Sequence, residues 1–147
     1  MNKIYTIEEI QKIEQHEFKR LKNSFILMNK AGTNCAKKIY KLHTKKKIIV
    51  LSGPGNNGGD GLIISQILKK LNRNVNLYCP KYNFYKGDAK KAYKKNKLVK
   101  NSFTKLENLF NKFDIWIGEN GTLFSSILTS LRIDKVIFLF FMRRLWF

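Results

Sequence analysis

The residues with the plainest capacity for chemistry form one run, Leu51-Ser-Gly-Pro-Gly-Asn-Asn-Gly-Gly-Asp-Gly61. Five of the nine residues from Gly53 to Gly61 are glycine. Such a stretch predicts a backbone that takes positive φ and approaches a ligand closely. It follows an apolar run that reads as a strand and precedes a helical pattern. At that junction, backbone N–H groups without helical partners and the positive end of the helix dipole favour phosphate. Asn56 and Asn57 bring side-chain carbonyl oxygens that suit a hard cation, and Asp60 brings a carboxylate beside the helix start. A ligand-free turn is the plain alternative, but nine consecutive turn-type residues exceed what a turn needs and cost chain entropy on folding.

Two familiar nucleotide motifs fit poorly. A P-loop needs Lys followed by Ser or Thr after its last glycine; a pattern begun at Gly53 places Gly59 and Asp60 there. Gly53, Gly55 and Gly58 do satisfy the dinucleotide spacing GxGxxG. That fingerprint also wants an acid at the end of the second strand for the ribose, where this chain has Cys79-Pro80-Lys81.

The surrounding elements read as strands alternating with helices. Thr6-Ile-Glu-Glu9 has the form of a capping box, with Ile7, Ile10, Glu14, Phe18 and Leu21 at roughly helical spacing after it. A second helix is predicted over Phe25–Leu42, with Met28, Ala31, Cys35, Ile39 and Leu42 on one side and a small Ala31-Gly32 pair for close packing. Lys47–Leu51 is apolar and β-branched, as a buried parallel strand is. Leu62, Ile63, Gln66, Ile67 and Leu71 predict a helix after the loop, and Val75–Cys79 a second strand. Together they make one strand–helix–strand unit. Beyond it, helices are predicted at Gly87–Asn96, Thr104–Lys112 and Leu123–Leu131. Strands are predicted near Leu98, at Asp114–Ile117 and at Lys135–Phe141. The alternation implies an α/β fold, a three-layer α/β/α Rossmann-like domain with a mostly parallel sheet.

Gly53-Pro-Gly-Asn-Asn-Gly-Gly-Asp-Gly61 resembles the signature of the NAD(P)H-hydrate epimerase, or YjeF N-terminal domain, family. The flanks agree: Met28, Ala31 and Gly32 on the preceding helix, a strand entering the loop, and Tyr78 and Pro80 closing the next strand. The resemblance spans about Ile4 to Ile117. It implies a Rossmann-like fold and interconversion of the R and S epimers of hydrated NADH and NADPH, which lets a partner dehydratase restore the cofactor. By the motif match, Asn56, Asn57, Gly58, Gly59 and Asp60 would bind the hydrated nucleotide, and Asn57 would be a ligand to a potassium ion. A homodimer is a further expectation.

The later part departs from the family pattern. An Asp-Ala-x-Phe-Gly-type segment, whose Asp the family uses for metal binding and catalysis, is replaced by Asp114-Ile-Trp-Ile-Gly-Glu-Asn-Gly121. Glu119 lies nearby but does not match the motif. The family's Asp-x-Pro-Ser-Gly segment is also missing; Lys135-Val-Ile-Phe-Leu139 runs on into Phe-Phe-Met-Arg-Arg-Leu-Trp-Phe147. Proton transfer needs a positioned acid or base. These departures predict a single partial domain over residues 1–147, truncated or frame-disrupted, with impaired turnover and no assignable catalytic residue. A non-catalytic nucleotide-binding module of the same fold is the alternative.

Composition narrows the remaining classes. At 147 residues and 44% apolar, the chain suits one domain with a real core. Its longest apolar run, Val136–Met142, is far short of the roughly 20 residues that span a bilayer. Residues 1–11 have no apolar signal region, so no membrane association and a cytoplasmic location are expected. Cys35 and Cys79 form no metal or redox motif and read as buried hydrophobes; His16 and His43 read as surface residues. The net charge is +19, with 24 Lys among the 29 basic residues. Lysine on solvated faces is the simpler account, because nucleic-acid readers favour arginine forks. The stretch Lys81–Lys100 does interleave eight Lys with Tyr82, Phe84, Tyr85 and Tyr93. Non-specific attraction to polyanions, rather than specific nucleic-acid binding, is therefore expected.

Overall fold

The structure, a computed structural model, describes residues 6–42, 46–79, 82–101, 115–118 and 136–138. Helix α1 (Ile7–Leu21) starts at the predicted capping box. The Glu9 N–H donates to the Thr6 hydroxyl at 3.2 Å, and the Thr6 N–H donates to the Glu9 carboxylate at 2.8 Å. Lys22, at φ 51°, ends this helix in the left-handed conformation. Helix α2 (Ser24–Leu42) buries Met28, Ala31, Cys35 and Ile39 along one side, as their spacing predicts. Leu42 does not join them; it is 60% exposed at the last position of the helix, past the packed stretch.

Four strands, β1 (Ile48–Leu51), β2 (Val75–Tyr78), β3 (Ile115–Gly118) and β4 (Val136–Phe138), form a parallel sheet in the order β2-β1-β3-β4. The four predicted strands of the sheet are thus present and parallel, with β1 central. Ile48 and Val50 face the core shared with α2, α3 (Asn56–Lys70) and α4 (Gly87–Lys95). Successive strand side chains alternate between faces, and Ile49 and Leu51 are just as buried, at 0% and 2% exposure. Strand β1 is therefore covered on both faces, as a three-layer α/β/α fold requires. On the helical side, the Ser24 hydroxyl and the Lys91 ammonium both bond the Asp88 carboxylate, which ties the start of α2 to the start of α4.

Three expectations need correction. First, α3 begins at Asn56 rather than at Leu62, so most of the glycine-rich run is helix. Second, no strand forms near Leu98; Lys97–Asn101 is a 3-10 helix. The Asn96 side-chain carbonyl accepts the Leu98 N–H at 2.8 Å, which turns the chain and uses a donor that a strand would need. Third, among the described glycines only Gly87 has positive φ, so Gly58 and Gly59 serve close approach rather than left-handed backbone. Cys79 lies just past β2 and, like Cys35, is buried; the His16 side chain is 80% exposed. The predicted helices at Thr104–Lys112 and Leu123–Leu131, together with His43, Glu119 and residues 139–147, lie outside the described residues.

Candidate functional site

Leu51 pairs with Tyr78 on one side and Gly118 on the other, so the carboxyl ends of three strands meet at one edge. From β1 the chain passes to β2 on one flank, while β3 lies on the other. In open α/β sheets, ligands bind outside the strand ends where neighbouring connections diverge in this way. Ser52 continues the ladder, its N–H donating to the Tyr78 carbonyl at 2.9 Å. Gly53-Pro54-Gly55 is the whole turn, and α3 starts at once.

Gly55 caps α3 in extended conformation, φ −81° and ψ −172°, with no side-chain cap. The first helical bond runs from the Gly59 N–H to the Gly55 carbonyl at 3.0 Å. The N–H groups of Asn56, Asn57 and Gly58 precede it and so have no acceptor within the helix. Asn56 and Asn57 are exposed beside them, whereas Gly58, Gly59 and Asp60 are buried. The predicted binding segment is thus divided. Its amino end opens to solvent, and its carboxyl end packs into the protein.

The glycines explain the division. A β-carbon at Gly58 would stand 1.8 Å from the Gly53 carbonyl oxygen, so the turn closes on itself there. One at Gly59 would meet the Met28 thioether at 2.7 Å and the Ala89 Cα at 3.0 Å, where α3 crosses α2 and α4. One at Gly55 would meet nothing within 4 Å. The side of Gly55 on which a β-carbon would stand is therefore open.

Asp60, 3% exposed, lies within electrostatic reach of Cys35 on α2. Burial, and secondarily the Asp60 charge, pushes the Cys35 thiol up to about 12 from 9.0. Cys35 is therefore a protonated core group at neutral pH rather than a nucleophile.

Two residues of this edge were not singled out from sequence for any role there. Ser52, 1% exposed, donates from its hydroxyl to the Gly58 carbonyl at 2.8 Å. Tyr85, fully buried, donates to the Ser52 carbonyl at 3.1 Å, and its oxygen also lies 3.1 Å from the Ser52 hydroxyl. Ser52 adjoins the glycine run, which is a usable signal. Tyr85 is 33 positions away among lysines and other aromatics, and its pattern reveals nothing. A separate groove of about 560 Å³ between α2 and α3, lined in part by Ile26, Lys30, Ile67 and Lys70, includes no residue of Gly53–Gly61.

Residues 24–118 match the family model described as YjeF-related protein N-terminus. The chain belongs to this family. A protein from Dictyostelium discoideum named NAD(P)H-hydrate epimerase is 46% identical over 57 residues, covering 37% of this chain and 24% of that protein. One of the same name from Elusimicrobium minutum is 34% identical over 98 residues, covering 58% of this chain and 43% of that protein. The crystal structure of yeast ynu0, YNL200c, superposes with a TM-score of 0.51 at 27% identity, covering 66% of this chain and 46% of the yeast one. The chain thus spans less than half the length of these relatives, and its match to the family model takes in the strand, turn and helix described above.

The resemblance implies a potassium ion with Asn57 as one ligand. Among the described residues, no group of three or more His, Cys, Asp or Glu gathers. Asn57 is exposed in the first turn of α3, at the end of the helix that repels cations. A potassium ion replaces its hydration shell with several oxygens, so Asn57 alone does not make a site. No helix among the described residues is long and apolar enough to cross a membrane.

Proposed function

We propose that this chain binds hydrated NADH or NADPH at the carboxyl edge of its sheet, as the substrate-binding part of an epimerase acting on the R and S hydrates. The observation that carries this reading is the placement of Gly53–Gly61. The family-type run forms the turn and first helical turn at the strand divergence, with the Asn56, Asn57 and Gly58 amides at the start of α3. A dinucleotide pyrophosphate there gains hydrogen bonds and dipole attraction without displacing structure. The exposed Asn56 and Asn57 side chains can bond the ribose or the hydrated ring. The absence of a side chain at Gly58 and Gly59 acts indirectly, by allowing the turn to close and α3 to seat. Asp60 lies in the second half of the run, 3% exposed and close to Cys35 of α2. With the one carboxylate of the run so buried, turnover by this chain is expected to be weak.

The names of the relatives support the substrate class and the isomerase reading. A dehydratase acting on one epimer as functional partner, a homodimer and a cytoplasmic location belong to the same proposal. So does potassium with Asn57 Oδ1 as one ligand, provided the bound substrate and residues outside those described supply the remaining oxygens.

The test is Gly55→Val. Its backbone lies in the extended region that valine favours, and its β-carbon meets no protein atom within 4 Å. Calorimetric titration with hydrated NADPH should show binding to the wild type and loss of it in the variant, with the melting temperature lowered only by the modest cost of valine at a helix cap. Equal affinities would remove the ligand from this turn. Conversion of R to S hydrate, followed by chromatography in potassium buffer, should be slow. Brisk turnover would place an acid or base within reach that this reading omits.

A further inference from the structure

We propose that Tyr85 is a positioning residue for this edge: its phenol, acting through Ser52, holds the first turn of α3 in the geometry that receives the ligand. The inference rests on the reading that a hydrated dinucleotide docks at Gly53–Gly58. Tyr85 belongs to the stretch between the 3-10 helix Tyr82–Phe84 and α4, not to the glycine run or its helix. Its side chain is fully buried, and burying a hydroxyl is costly unless it is bonded. Two polar contacts of its hydroxyl go to one residue. It donates to the Ser52 carbonyl at 3.1 Å and lies 3.1 Å from the Ser52 hydroxyl, which itself donates to the Gly58 carbonyl at 2.8 Å. The chain of contacts therefore runs from the phenol, through Ser52, to the third residue of α3. Gly58 is also where the turn closes against Gly53.

The ring is itself held. It packs against Tyr93 of α4 at a centroid distance of 4.8 Å, and the Tyr85 N–H donates to the Tyr82 carbonyl at 3.1 Å. A phenylalanine would meet the packing requirement equally well. The hydroxyl adds a polar tie from the α4 side of the site to the strand end, so that the Asn56, Asn57 and Gly58 amides are set before a ligand arrives. Amides aimed in advance bind an anion more tightly, because their ordering is not charged to the binding step.

The experiment compares Tyr85→Phe, Ser52→Ala and the double variant with Asn96→Ala. Asn96, 2% exposed, bonds the Leu62 carbonyl at 2.6 Å and the Ser65 hydroxyl at 2.8 Å, farther along the same helix. Its loss weakens α3 without touching the turn. Calorimetric titration with hydrated NADPH is read beside thermal melting. Tyr85→Phe and Ser52→Ala should each weaken binding by about tenfold, the worth of one hydrogen bond. The double variant should be no weaker than either single one, because both break the same tie. Asn96→Ala should lower the melting temperature while its affinity stays within about twofold of wild type. Wild-type affinity in Tyr85→Phe would overturn the inference, as would an equal loss in Asn96→Ala, which would make the effect one of general stability. If Tyr85→Phe fails to fold, Ser52→Ala reads the same tie from its other end. Loss of binding in Gly55→Val with none in Tyr85→Phe or Ser52→Ala sinks the positioning role alone. Undiminished binding in Gly55→Val sinks the site, and the inference with it.

Discussion

A β-carbon at Gly58 would stand 1.8 Å from a backbone oxygen, whereas one at Gly55 would meet no atom within 4 Å. The two glycines are indistinguishable in composition, and the sequence shows only that close approaches occur in the run. It does not show whether the chain approaches a ligand or itself. At Gly58 it approaches itself, so loss of binding after substitution there would report a broken turn rather than a blocked ligand. Gly58→Ala should therefore cost about 3 kcal/mol, the upper range for overpacking against atoms that cannot move aside. Urea denaturation would show a lower midpoint; an unchanged one would mean that the turn has room to open. The candidate site was legible in sequence as a segment but not as an arrangement. Asn56 and Asn57 are exposed, as a ligand-binding role requires, while Asp60 is buried against α2. Ser52 and Tyr85 escaped notice because a hydroxyl announces a polar tie only once its partner is known.

Helix α3 is seated by small residues at two crossings. Gly32 of α2 lies where a β-carbon would meet Ile63 at 2.7 Å, and Gly59 lies where one would meet Met28 at 2.7 Å. Gly59→Ala should destabilise by about 2 kcal/mol, because the buried Met28 thioether and the Ala89 backbone both stand in the way. Met28→Ala in the same chain should recover part of that loss, so that the two costs do not add in chemical denaturation. Full additivity would show that the two residues do not share the crossing. The same helix pair contains Cys35, whose thiol is held up to about 12 against 9.0 when unfolded. A raised acid pKa leaves stability whole below the unfolded value and drains it as pH climbs toward the folded one. Cys35 should thus add nothing to pH dependence below pH 9 and cost about 1.4 kcal/mol per unit above it. Cys35→Ala should flatten that alkaline limb in denaturation midpoints taken across pH 8–11; an unaltered slope would refute the assignment. At this scale the sequence was most informative, because β1 and β2 are short runs of strand-forming residues and α2 keeps its period. It failed near Leu98, where one buried Asn side chain, not periodicity, decides the backbone. It also failed at the start of α3, where glycines that disfavour a helix in isolation are helical because α2 and α4 press close.

Across the whole molecule, the charge of +19 and the glycine turn make separable claims on anions. Lysines spread over the surface attract any polyanion through a long-range field, and that attraction is screened within about 10 Å at 0.1 M salt. The turn instead offers fixed amides to one compact anionic group, with direct hydrogen bonds that salt weakens far less. Retention on heparin or single-stranded RNA should therefore fall a thousandfold or so between about 50 and 200 mM salt, as counterion release dictates. Gly55→Val should leave that retention unchanged, because it alters no charge. Hydrated NADPH should behave in the opposite way, losing little affinity over the same salt range and nearly all of it in the variant. A dinucleotide affinity that tracked salt as steeply as heparin retention, and survived Gly55→Val, would assign the binding to the lysine field and leave the turn without a ligand.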